Sequence, residues 1–111
     1  MNNEMELARK AAERGTLLNT LKQDYLSAMT SVRSLRGALD LQRISLSRED
    51  LAFHLVYLSD EGYVQIWRAR EMPRFRPGAG ISADEIVFAK LTGKGLRLID
   101  GDCEEDPKVT F

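Results

Sequence analysis

The stretch IWRAREMPRFRPG, residues 66–78, sets Arg68, Arg70, Arg74 and Arg76 into nine positions with one acid, Glu71, among them. Guanidinium groups this dense do one kind of chemistry well. Each presents a planar fork of N–H donors that pairs bidentately with the oxygens of phosphate or carboxylate. Pro73, Pro77, Gly78 and Gly80 surround them, which argues for an extended loop, since proline removes donors and glycine frees the backbone. An exposed loop also collects arginines for solubility alone, so the cluster needs its setting before it means anything.

Other reactive groups are sparse. His54 is the single histidine, with Asp50 one helical turn before it. That pair could orient a base, yet no nucleophile or further partner stands at a recognisable spacing, and an exposed Asp–His pair on a helix is ordinary. Cys103 lies between Asp102 and the acids Glu104 and Glu105, whose charges disfavour a thiolate. One cysteine and one histidine fall short of a zinc set, and LTGKG at 91–95 lacks the spacing of a phosphate-binding loop. The sequence therefore calls for no cofactor, no metal and no catalytic residue, and does not describe an enzyme.

The 111 residues fit one small domain, and hydrophobic and charged fractions of 43% and 30% are those of an ordinary globular chain. No apolar run approaches the ~20 residues that span a bilayer, and the N-terminus has no apolar signal core. A lone cysteine suits a reducing cytoplasm. A formal charge of −1 argues against coating nucleic acid by bulk electrostatics, so any anion binding has to come from a local patch.

The elements that must carry that patch read in order. EMELARKAAER (4–14) is rich in helix formers but has a thin apolar face of Met5, Ala8 and Ala12. Gly15 weakens continuity, and a second helix follows through Leu17, Leu18, Leu21, Tyr25, Ala28 and Met29 at helical spacing. A shorter helix over 31–41 buries Val32, Leu35 and Leu39, and its Gly37 suggests a close helix contact. Next, LSREDL offers Ser47 as cap and Leu46 with Leu51 as a hydrophobic staple. The helix it starts buries Leu51, Leu55 and Leu58 and stops at Gly62, the left-handed cap position. Strands follow in YVQIWRA and DEIVFAKL, joined by the arginine loop, and LTGKGLRLIDG reads as a closing helix from near Thr92 to near Gly101.

After the N-terminal helical segment, three helices, a strand, a long loop, a strand and a helix form the order of a winged helix. LSREDLAFHLVYLSDEGYVQI resembles the third helix and first wing strand of that family, and AKLTGKGLRLIDG resembles the second wing strand running into the last helix. The likeness covers roughly residues 16–101 and points to regulators of the MarR and PadR type, and to small winged-helix proteins of Mu-like prophages. It implies an α+β fold with a three-helix core, a two-stranded β-wing and a short C-terminal helix. Around it, residues 1–15 form a helical extension and 102–111 an acidic tail, where Asp100, Asp102, Glu104, Glu105 and Asp106 gather.

The same resemblance implies a double-stranded DNA partner and a role in transcriptional control. The third helix would enter the major groove with Arg48, His54 and Tyr57, while the wing would hold backbone or minor groove with Arg68, Arg70, Arg74 and Arg76. Basic residues on the first two helices of that core, Arg33, Arg36 and Arg43, extend the positive surface alongside Arg48. The expected solvent face of the third helix is poor in base-reading side chains, however, and carries Phe53 and Val56 beside His54 and Tyr57. The strands add Trp67, Ile86 and Phe88 on the face turned from the core. These five apolar residues, Phe53, Val56, Trp67, Ile86 and Phe88, define the alternative: a protein interface, either to a partner or in a homodimer.

Overall fold

The computed structural model describes residues 3–72 and 80–111. The first helix, α1 (Asn3–Lys22), is one continuous element. It runs through Gly15 where the sequence suggests two helices, and it ends seven residues before Met29. The reason is visible at both points. Gly15 is buried under the C-terminal tail, which has no room for a side chain there: an added Cβ would lie 1.9 Å from the Thr110 carbonyl oxygen. Leu17, Leu18 and Leu21 are buried, but past Lys22 the chain breaks into turns, and Tyr25 packs on the core from there.

A two-residue strand, β1 (Thr30–Ser31), precedes α2 (Val32–Leu41). The side chain of Ser31 caps α2 by accepting from the Ser34 N–H at 3.1 Å. Leu35 and Leu39 are buried as their spacing demands. Gly37 is exposed, with nothing within 4 Å of an added Cβ, so it marks no close helix contact. The third helix, α3 (Arg48–Asp60), starts where the cap signal places it. Ser47 accepts from the Asp50 N–H at 3.0 Å, and Leu46 and Leu51 are both buried. Gly62 takes φ +84° beyond its end, a conformation that costs other residues dearly.

The wing contains β2 (Val64–Arg68) and β3 (Ile86–Leu91), with a 3₁₀ turn over Ala69–Glu71. The sheet has three antiparallel strands in the order β1-β3-β2, with Thr30 opposite Ala89 and Ile66 opposite Ala89 on the other side. β1 was invisible in the sequence because two residues show no alternation. A register shift after Trp67, where Arg68 pairs with Ile86, breaks the in–out alternation. Ile86 is therefore buried in the core, 6% exposed, instead of facing out. Helix α4 (Gly93–Asp100) closes the domain, capped by Thr92 at one end and by left-handed Gly101 at the other.

One leucine-rich core joins α1, α2, α3, the inner sheet face and α4. Leu17, Leu18, Leu55 and Leu58 are fully buried, each worth about 1.5–3 kcal/mol of apolar transfer. The tail completes this core. Val109 is buried, the Thr110 N–H donates to the Ala11 carbonyl at 3.0 Å, and Arg14 Nη1 donates to the Lys108 carbonyl at 3.1 Å. Among the described residues, no helix is long and apolar enough to cross a membrane.

Candidate nucleic-acid interface

The packing of α2 and the wing around α3 leaves a cleft of about 1450 Å³ on one side of the domain. Three separate elements send arginines to it: Arg33 and Arg36 from α2, Arg48 from the first position of α3, and Arg68 from the end of β2. Apolar side chains form part of its walls, with Phe53 and Val56 from α3 and Phe88 from β3. Acids line it too, including Asp40, Glu49, Asp84 and Glu85.

The wing arginines described by the structure are engaged. Arg48 forms an ion pair with Glu85, and Arg70 with Asp84. The Arg68 side chain donates to the Asp84 backbone carbonyl, while its own N–H donates to the Glu71 carboxylate at 2.9 Å. The backbone reinforces the same register, since the Ala69 N–H donates to the Glu85 carbonyl and the Arg70 N–H to the Ala83 carbonyl. Arg48 and Arg70 remain more than half exposed in these pairs. Arg74 and Arg76 lie outside the described residues.

The rest of the α3 assignment divides. His54, expected on the solvent face, is buried at 2% exposure. Its Nε2 stands 3.1 Å from the Glu13 carboxylate on α1. Burial lowers its pKa below the ordinary 6.5, and Arg14 adds to this; the Glu13 hydrogen bond and the charges of Glu13 and Asp50 work the other way. Tyr57 is half-buried and donates to Asp106 Oδ2 at 3.1 Å, with the Arg14 guanidinium 4.6 Å above its ring. Burial, then the Asp106 charge, raise its phenol to about 12. Tyr63 donates to the same Asp106 oxygen at 3.0 Å, and its phenol is pushed up by burial and by that hydrogen bond. Thus α3 turns His54 and Tyr57 toward α1 and the tail, and Arg48 toward the wing. The sequence reading missed this because a thirteen-residue helix can be covered on two sides, and nothing local shows that a tail 40–50 residues later packs back on it.

Asp106 also departs from expectation. It belongs to the acidic tail by sequence, but it serves as the acceptor for two tyrosines and for the Lys108 N–H at 2.9 Å. Of the apolar residues expected at an interface, Phe53 is 61% exposed; Val56, Trp67 and Phe88 are half-buried; Ile86 is buried. Among the described residues, no group of three or more His, Cys, Asp or Glu side chains is placed to hold a metal ion.

Comparison with known proteins bears on the fold. No protein-family model matches the chain, and no curated protein matches it by sequence. Among solved structures, the chain is similar to a PadR-like transcription factor from Bacteroides fragilis, with a TM-score of 0.59 and 17% identity over 90% of this chain and 84% of that one. At that identity the likeness shows the winged-helix fold, with four helices and a three-stranded antiparallel sheet.

Proposed function

We propose that this winged helix is a DNA-binding regulator of transcription. The observation that carries the reading is the convergence of arginines from α2, α3 and β2 on one cleft beside the wing. Duplex DNA is a regular array of phosphates, and arginines held on three rigid elements can meet several of them together. In this mechanism Arg48, Arg68 and Arg70 position the duplex, and Arg74 and Arg76 join them on the evidence of sequence alone. Base reading falls to the exposed residues of the first two turns of α3, where Arg48 is the polar candidate and Phe53 can touch thymine methyls. The likeness to a PadR-like transcription factor supports the same reading. A homodimer formed through the exposed first half of α1, where Leu7 is 65% exposed, and a cytoplasmic location complete the proposal.

Fluorescence anisotropy against a mixed-sequence duplex at 50 and 200 mM salt tests it. Each phosphate neutralised contributes about −0.9 to the log–log salt slope, so the four wing arginines account for about −3.6 and Arg48 brings the total to about −4.5. Micromolar binding that weakens steeply with salt, and that Arg68→Glu with Arg70→Glu abolishes, is the expected result. Absence of binding at 50 mM sinks the reading. In that event the second reading, a protein-interaction module, rests on the apolar cleft wall and on Phe53, exposed at its edge.

A further inference from the structure

The arginines of the cleft face a problem that the fold has already solved once without DNA. Asp84 and Glu85 stand together just before β3, at the foot of the wing. Glu85 holds Arg48, which comes from α3; Asp84 holds Arg70 through its carboxylate and Arg68 through its backbone carbonyl. Two adjacent residues thus collect guanidiniums from the helix, from the end of β2 and from the 3₁₀ turn that follows it. A carboxylate accepts the same fork of N–H donors that a phosphate does. We propose that Asp84 and Glu85 occupy the places of two DNA phosphates and act as affinity-setting residues of this face, so that the duplex binds by exchanging with them.

The pairs are built for exchange. Side-chain exposures are 55% for Arg48, 59% for Arg70 and 74% for Asp84, with Glu85 at 28%. Exposed pairs of this kind hold weakly and are screened by salt. Arginine has five donors, so each guanidinium can begin to engage a phosphate before it leaves its carboxylate. Until it leaves, the carboxylate sits close to the arriving phosphate and repels it. The consequence is selectivity. A diffuse polyanion gains little, because every contact it makes is offset by a displaced or opposed acid. A duplex seated in register reaches all three arginines together.

This inference rests on the DNA-binding reading, and the test separates the two. Asp84→Asn with Glu85→Gln removes both carboxylates and keeps the side-chain shapes. Asp102→Asn with Glu105→Gln, in the exposed tail, changes net charge equally and far from the cleft. Affinity of each full-length form for the same fluorescein-labelled mixed-sequence duplex is measured at 50 and 200 mM salt. The expected result is about tenfold tighter binding for the cleft variant at 50 mM, a gap that narrows at 200 mM, with the tail variant near wild type. Equal gains in both variants overturn it, since net charge then suffices. Unchanged affinity in the cleft variant, with a binding wild type, overturns the inference and leaves the DNA reading intact. Failure of every form to bind overturns both.

Discussion

Two polar clusters flank α3, and they use similar side chains to opposite ends. On the side of α1 and the tail, Arg14 and His54 keep 7% and 2% of their surfaces in solvent. On the wing side, Arg48 and Arg70 keep more than half. A buried polar group that loses its partner carries the whole cost of desolvation, whereas an exposed one turns to water. The first cluster is therefore fastening, and the second is a surface whose partners can be exchanged. The two clusters differ in surroundings far more than in chemistry, and residue type alone does not separate them.

The sharpest way to break the comparison is at Asp106. Its carboxylate accepts from Tyr57, Tyr63 and the Lys108 N–H. Asp106→Ala leaves the hydroxyl of Tyr63, a residue only 5% exposed, without its acceptor and loosens the tail. A loss of about 2–3 kcal/mol is expected, read as a lower urea midpoint. The phenols give a second reading of the same contact. Their pKa values are held above the ordinary 10. In the range where unfolded tyrosine ionises first, unfolding releases protons, so stability is full below pH 10 and lost above it. Tyr57→Phe with Tyr63→Phe should blunt that alkaline loss.

A pair of glycines comes next. Both Gly15 and Gly37 lie inside helices, where alanine normally gains up to about 1 kcal/mol. At Gly15 an alanine Cβ meets the tail backbone at 1.9 Å. The tail must then leave, exposing Val109 and breaking the Arg14–Lys108 contact. The net outcome for Gly15→Ala is destabilisation by about 1–2 kcal/mol, after the helical gain is subtracted. Gly37→Ala meets nothing and should stabilise by about 0.5–1 kcal/mol. Opposite signs in thermal melts confirm where the tail sits; two gains would deny that it lies on α1.

These glycines also show where the sequence was legible. The cap at Ser47, the stop at Gly62, the closing helix between Thr92 and Gly101, and the leucine stripes all rest on signals within a few residues, and each stands in the structure. The sequence suggests a close contact at Gly37 and a break at Gly15, and the structure has neither. The difference is that a glycine's purpose depends on what approaches it, and here the approaching chain lies 95 residues away. His54 and Tyr57 failed for the same reason. At the wing, the arginines were plain in the sequence, but Asp84 and Glu85 became their partners only once β3 had paired with β2.

The buried cluster should also respond to mild acid. Neutral His54 donates a hydrogen bond from Nε2–H to the Glu13 carboxylate, and charging the ring would desolvate a cation between Arg14 on α1 and the leucine core, with Glu13 and Asp50 only partly compensating. The folded chain therefore takes up this proton at lower pH than the unfolded chain does. Stability is full above 6.5 and declines as pH falls below it, ahead of most carboxylates. Urea midpoints at about pH 7.5 and 5.5 measure this. His54→Gln, which keeps a donor toward Glu13, should flatten the difference.

The smallest effect belongs to the wing, and its smallness is the point. Arg48→Ala breaks the pair with Glu85, yet several terms nearly cancel. The lost exposed ion pair is worth at most about 1 kcal/mol, the side chain regains its freedom, and alanine suits a helix well. Arg48 is also the first residue of α3, where a positive charge opposes the helix dipole. A change in stability below about 0.5 kcal/mol is expected, together with a clear loss of duplex affinity in the anisotropy assay. Stability lost here on the scale of Asp106→Ala would mean that the wing, too, is fastening, and would remove the distinction between the two sides of α3.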